Sequence, residues 1–260
     1  MKVHANGIDI HYEVTGSGPW LTLSHSLACD LSMWEPQLAS WCRHFTVLRY
    51  DTRGHGRSDA PGGDYSWDLL RDDALGLLDA LNIDRTHFLG LSMGGMIAQH
   101  LALAQPQRVN SLILADTSSR YPAAALPIWE ERLRLVRDKG MAVLVDSTLE
   151  RWFTAPYREA HPEEMARIAG LIRNTPAKGY IGCGHAIPRM DTTERLRQLT
   201  CPTLVIVGAD DSGTPPAMAR DIAAAIAAAR LEIIASAAHL TNIEQAARFN
   251  QLVLEFLGCR

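Results

Sequence analysis

Gly90-Leu91-Ser92-Met93-Gly94-Gly95 sets one serine between glycines placed two residues before it and two after it. An apolar run from Thr86 to Leu89 leads in and a helical pattern from Met96 to Ala104 leads out, with no room for an ordinary loop. The serine therefore stands on a strand-to-helix elbow, where a Cβ on either flanking glycine would meet neighbouring backbone. Such a turn lifts the Ser92 hydroxyl off the sheet and sets it at a helix N-terminus, which favours developing negative charge. A serine hydroxyl attacks poorly at neutral pH unless a base takes its proton and an acid orients that base. Of the ten histidines, His239 is the one in position, in a loop between the last apolar run and a helix start, at the carboxyl edge of the sheet. For the acid, Asp211 follows the apolar run that ends at Val207-Gly208. Asp210 is its solvated neighbour, and Asp116, at the end of the preceding run, competes for the role. Turn capping is the alternative use of all three aspartates. An oxyanion formed at Ser92 needs two aimed donors, the Met93 N–H just after the nucleophile and the Leu27 N–H from the loop Leu23-Ser24-His25-Ser26-Leu27. His25 is read as a brace of that loop rather than a second base.

The elements that must hold these residues follow from periodicity. Asn6-Gly7 is a hairpin signal ahead of the alternating Ile8 to Val14, so the chain opens with an antiparallel pair at a sheet edge. Trp20 to Leu23, Thr46 to Tyr50, Thr86 to Leu89, Ser111 to Ala115, Thr203 to Val207 and Leu231 to Ala235 are short apolar runs separated by helical segments, the pattern of a parallel sheet covered on both faces. Ser32 to Glu35 and Thr241 to Glu244 have the spacing of capping boxes, and the alanine-rich Arg220 to Arg230 is read as a packed helix through Ile222 and Ile226. Between Asp116 and Cys201 the alternation lapses into helical pattern far longer than a crossover. About four helices are expected there: Trp129 to Lys139, Met141 to Phe153, Pro162 to Asn174 and Ala177 to Ile187. The expected organisation is an α/β core of residues 1–118 and 197–260 with a helical cap, 119–196, inserted over the site.

Composition narrows the partners. A formal net charge of −4 without a basic block argues against nucleic acid or a membrane surface. No run of about 18 apolar residues and no apolar leader is present, so a soluble cytoplasmic protein is expected. Five scattered cysteines without Cys-x-x-Cys spacing read as reduced packing residues, neither a disulfide framework nor a metal site. Asp51-Thr52-Arg53-Gly54-His55-Gly56 lacks the third glycine and the lysine of nucleotide loops and is read as a tight polar turn.

Taken together, these residues resemble the α/β-hydrolase superfamily over essentially the whole chain, with the order Ser, Asp, His of that fold. More narrowly the chain is similar to bacterial 3-oxoadipate enol-lactonases of aromatic catabolism. The resembling stretches are Leu23 to Leu27 with Asp30-Leu31-Ser32-Met33-Trp34, Arg49 to Gly56, Gly90 to Gly95, Arg151-Trp152-Phe153-Thr154, and His239-Leu240-Thr241-Asn242-Ile243-Glu244. The resemblance implies a catalytic Ser92, Asp211 and His239 opening a small-molecule ester or lactone through an acyl-enzyme, without a cofactor. It leaves self-association open. The family often has Asn at position 25 and Gly-Thr at 28 and 29, where this chain has His25, Ala28 and Cys29. A substrate carboxylate would want a cation in the cap, with Arg132, Arg134, Arg137, Arg151, Lys178 and Arg189 as candidates. His25, Trp129 and Trp152 are the candidate substrate contacts. The competing readings are a broad carboxylesterase or cofactor-free perhydrolase and, from another class, a non-catalytic receptor on the same fold.

Overall fold

The computed structural model describes residues 1–227 and 229–259. In chain order the strands are β1 (Lys2–Ala5), β2 (Ile8–Gly16), β3 (Trp20–Ser24), β4 (Thr46–Tyr50), β5 (Thr86–Leu91), β6 (Val109–Ala115), β7 (Thr203–Gly208) and β8 (Ala229–Ile234). They form one sheet in the order β1-β2-β4-β3-β5-β6-β7-β8. β1 and β2 make the antiparallel edge, turned at Asn6 and Gly7 with φ of +48° and +76°, as a type I′ turn requires. β2 is also antiparallel to β4, and every pairing beyond β4 is parallel. The central strands are buried on both faces, with Leu21, Leu23, Phe88, Leu89, Leu112 and Ile113 all at 0% exposure, each contributing roughly 1.5–3 kcal/mol of transfer free energy. The apolar runs without alternation reflect that double cover.

The helices of the sheet framework are α1 (Glu35–Trp41), α2 (Trp67–Ala80) and α3 (Met93–Ala104), then, after an insertion, α9 (Pro216–Ala225), α10 (Thr241–Glu244) and α11 (Ala246–Phe256). α2 packs against α3, and α1 against α11, where Trp41 and Phe249 meet with ring centroids 6.2 Å apart. Between β6 and β7 lie α4 (Ala125–Lys139), α5 (Val145–Trp152), α6 (Ala155–Ala160), α7 (Pro162–Asn174) and α8 (Ala177–Ala186). The insertion thus holds five helices where four were expected, because Gly140 (φ +77°) and a 3-10 turn at Met141–Leu144 shorten the second, and Thr154-Ala155-Pro156 starts another.

Three further local expectations are corrected. The alanine-rich stretch stops being helical at Ala225, and Ala229 and Arg230 pair with Thr203 and Leu204 of β7. Completing the sheet edge outweighs alanine's helix preference there. Ile222 and Ile226 are nonetheless both buried. Ser32 does not cap: Asp30 does, accepting from the Ser32 N–H at 2.8 Å and its hydroxyl at 2.6 Å. Nor is Thr241-Asn242-Ile243-Glu244 a capping box, since both polar side chains are committed elsewhere.

Candidate active site

β5 and α3 meet at Ser92 with φ +56° and ψ −115°, a conformation that costs a non-glycine residue about 1–3 kcal/mol and persists only where the surroundings impose it. Its N–H donates to Ala115 O at 2.9 Å and its carbonyl accepts from the Thr117 hydroxyl at 2.7 Å. A Cβ on Gly90 would stand 2.1 Å from Gly94 O, and one on Gly94 2.0 Å from Ser24 O. Both glycines are therefore fixed by backbone that cannot yield.

The structure brings the three separated residues into one line. Ser92 Oγ is 2.9 Å from His239 Nε2, and His239 Nδ1 is 2.8 Å from Asp211 Oδ2. All three are at least nine-tenths buried. Asp211 also accepts from the N–H groups of Gly213 (2.8 Å) and Thr214 (3.0 Å) and from the Thr214 hydroxyl (2.7 Å). Burial alone would push its carboxyl up. The facing imidazole of His239 and the Thr214 donors outweigh that and hold it down at about 2. At neutral pH it is therefore an ionised carboxylate facing His239 Nδ1. Thr214 was not anticipated, although Asp-x-x-Thr is the spacing at which an aspartate collects donors from its own turn.

Asp116 and Asp210 do not reach the histidine. Asp210 is exposed. Asp116 is fully buried, accepting from Gly208 N–H at 2.9 Å and from the Thr241 hydroxyl. Burial first, and then the charge of Asp211, raise its carboxyl well above the usual range. It braces the ends of β6 and β7 and the start of α10.

The loop after β3 is pinned by two buried histidines. His25 donates from Nδ1 to Ser26 O (2.7 Å) and accepts at Nε2 from Thr52 N–H (2.9 Å). His55 donates to Arg53 O (3.2 Å) and accepts from Ala28 N–H (3.1 Å). Burial lowers both, His55 to about 3, so each ring is neutral with one donor and one acceptor. His25 as a substrate contact is thereby corrected: both nitrogens are used internally. The Leu27 N–H, between these pins, has no hydrogen bond among the described residues. Met93 opens α3, so its N–H has no acceptor within the helix. Ala28 sits at φ +60°, which explains why glycine suits that position.

A family model described as the alpha/beta hydrolase fold matches residues 19–246. The chain belongs to the α/β-hydrolase family. Among curated relatives of this α/β-hydrolase, 3-oxoadipate enol-lactonase 2 of Acinetobacter baylyi is 36% identical over 251 residues, covering 96% of this chain and 93% of its own. Among solved structures, the enol-lactonase from Burkholderia xenovorans LB400 superposes with a TM-score of 0.96 at 41% identity, covering 99% of this chain and all of the other. A thermophilic esterase from Thermogutta terrifontis, with malate bound, gives 0.94 at 30% identity over 99% and 98% of the two chains.

In this α/β-hydrolase, Ser92 and His239 open into a cavity of about 290 Å³. Leu27, Met96, Trp129 and Trp152 supply apolar wall, and Arg132 and Arg151 come from the insertion. Arg132 lies 5.6 Å from the Trp129 ring centroid and donates to Tyr180 Oη and, at 3.1 Å, to Thr148 Oγ1. Among the described residues the Arg151 guanidinium makes neither hydrogen bond nor ion pair. Burial and the neighbouring Arg132 charge bring it down to about 10, still a cation at neutral pH. The other cap cations proposed from sequence do not line the cavity. Sequence could list these arginines but not choose among them. The choice depends on which side of each helix faces the serine. Ser26 was also missed; it lines the cavity, and its buried hydroxyl has no partner among the described residues.

Proposed function

We propose that this hydrolase cleaves carboxylic esters with Ser92 as nucleophile, its natural substrate being a small lactone of the enol-lactone type that carries a free carboxylate. The observation that carries this reading is the Ser92–His239–Asp211 relay opening into a cavity that also holds Arg151, unpaired among the described residues. Ser92 Oγ adds to the lactone carbonyl while His239 Nε2 takes its proton, and the Leu27 and Met93 N–H groups receive the oxyanion. Collapse breaks the ring C–O bond. His239 returns the proton to the leaving enol oxygen, which stays attached to the acyl chain. Water then adds to the acyl-enzyme with His239 again as base, freeing a carboxylic acid and Ser92. No cofactor is needed for either half. The helical insertion acts as the cap that shapes the substrate end of the cavity.

Two arginines side by side are unfavourable without an anion, and a substrate carboxylate would relieve that while gaining charge-assisted hydrogen bonds. The enol-lactonase relatives and the malate-bound esterase support an anionic substrate. Arg151→Met is expected to raise KM for a carboxylate-bearing lactone by roughly 10- to 100-fold, the equivalent of about 1.5–3 kcal/mol for hydrogen bonds to a charged group, with a far smaller effect on neutral p-nitrophenyl acetate. Steady-state kinetics on the two substrates checks it. The nucleophile itself is tested by incubating the wild-type protein with a serine-directed phosphonate and mapping the modified peptide. A mass increment on Ser92 together with an ester burst supports the reading, and an unlabelled protein with no burst defeats it.

A further inference from the structure

The Glu244 carboxylate is 7% exposed and has no Lys, Arg or His within 4.0 Å among the described residues. A buried carboxylate without a counter-ion is costly unless hydrogen bonds satisfy it. Here they come from two separate parts of the chain. Oε2 accepts the Ala238 N–H at 2.8 Å, and Oε1 accepts the Thr154 N–H at 3.0 Å and the Thr154 hydroxyl at 2.5 Å. The same two segments are joined again beside it, where Trp152 O accepts from the N–H groups of both His239 (3.1 Å) and Leu240 (3.2 Å). The Trp152 ring lies over the His239 ring, centroids 6.3 Å apart.

From this we infer that Glu244 is a positioning residue for His239, clamping the base-bearing loop to the Arg151–Thr154 segment that walls the cavity. The inference rests on the Ser92 hydrolase reading. Ala238 immediately precedes the base, so its peptide plane sets where the His239 Cα stands. The relay distances on both sides of the imidazole depend on that point. The clamp also ties Arg151 and Trp152, which face substrate, to the residue that moves the proton. A neutral local cap at α10 would need none of this, and the Glu244 side chain turns away from the helix-start role its sequence position suggests.

Glu244→Gln keeps the shape but replaces one acceptor by an NH2 that must face either the Ala238 or the Thr154 donors, so one arm of the clamp opens. With p-nitrophenyl acetate, which is too small to depend on the arginines, kcat is expected to fall roughly 10²-fold, the usual cost of a misplacement near 1 Å. KM should stay within about twofold, and the rate of phosphonate labelling at Ser92 should fall in parallel with kcat. A purely structural role would lower Tm and the active fraction while leaving kcat per titrated site unchanged, and that result overturns the inference. Thr154→Val, which removes the hydroxyl and keeps the N–H, is expected to lower kcat per site by about 3- to 10-fold as the loss of one hydrogen bond, and it serves where Glu244→Gln fails to fold. Unchanged kcat per site in Thr154→Val would equally count against the clamp. In the double variant the losses should not multiply, because both residues act through one network. Wild-type labelling at Ser92 is the separate control: if it is absent the hydrolase reading itself fails, whereas normal labelling with an unaltered Glu244→Gln enzyme removes only this inference.

Discussion

Ser92→Ala is expected to lower kcat for ester hydrolysis about 10⁶-fold, the scale on which a triad nucleophile is lost, leaving whatever the oxyanion donors and binding alone supply. Stopped-flow assays should show the acyl-enzyme burst gone. The same position carries a stability prediction of its own. At φ +56° and ψ −115° an L side chain is strained, and alanine keeps the Cβ that causes it. Ser92→Gly removes the Cβ, so it should be as inactive as Ser92→Ala yet more stable than it by about 1 kcal/mol, or roughly 2–4 °C in Tm for a chain of this size. Equal melting temperatures for the two variants would mean the elbow stores no strain at the serine. The nucleophile's exposure above the sheet would then be a feature of the backbone alone.

Asp211→Asn is expected to reduce kcat about 10⁴-fold while leaving the fold intact, because an amide facing His239 Nδ1 stabilises the wrong tautomer and cannot support the imidazolium. Asp116→Asn should do nearly the opposite. Asparagine can accept from Gly208 N–H and donate to the Thr241 hydroxyl, so activity should remain within about tenfold, the range of a perturbed neutral hydrogen bond. Their pH signatures differ in sign. The Asp211 carboxyl sits at about 2 in the folded chain, below the ~3.9 of an unfolded aspartate. It therefore contributes stability that is present above pH ~4 and is lost as pH falls towards 2. The Asp116 carboxyl is raised when folded, so folding binds a proton there and its contribution weakens as pH climbs above ~4. Thermal melts of Asp116→Asn against wild type should show the variant gaining relative stability with rising pH. Should Asp116→Asn instead cost 10⁴ in kcat, the acid would have to be reassigned.

The residues proposed for chemistry were legible because their local requirements are strict. A serine held at positive φ between a strand and a helix needs glycine where a Cβ would strike Gly94 O or Ser24 O, and that need is written into Gly90-Leu91-Ser92-Met93-Gly94. Parallel strands buried on both faces leave uninterrupted apolar runs, which is why β3 to β7 were readable to within two residues at each end. Where the expectations missed, a long-range partner had taken over a locally plausible role. Alanine favours helix, but Ala229 and Arg230 were claimed by the edge of β7. Glu244 has the spacing of a cap, but its carboxylate was claimed by Ala238 and Thr154. His25 lies within the loop that follows β3, where a substrate contact is plausible in sequence, but both its ring nitrogens were claimed by backbone groups.

By itself, then, the sequence determined the α/β-hydrolase architecture and marked Ser92 and His239 as the residues to watch, with Asp211 preferred to Asp116 for the acid, since elbow geometry and strand-end placement are short-range properties. Only the tertiary structure showed that Asp211, and not Asp116, faces His239 Nδ1, Asp116 being held instead by the Gly208 N–H and the Thr241 hydroxyl. It alone chose Arg132 and Arg151 from the many cap cations, since a helical pattern marks an amphipathic face without saying what that face meets. And it alone joined residues 152–154 to 238–244, a contact between distant segments that exists only once the insertion has packed against the loop carrying His239.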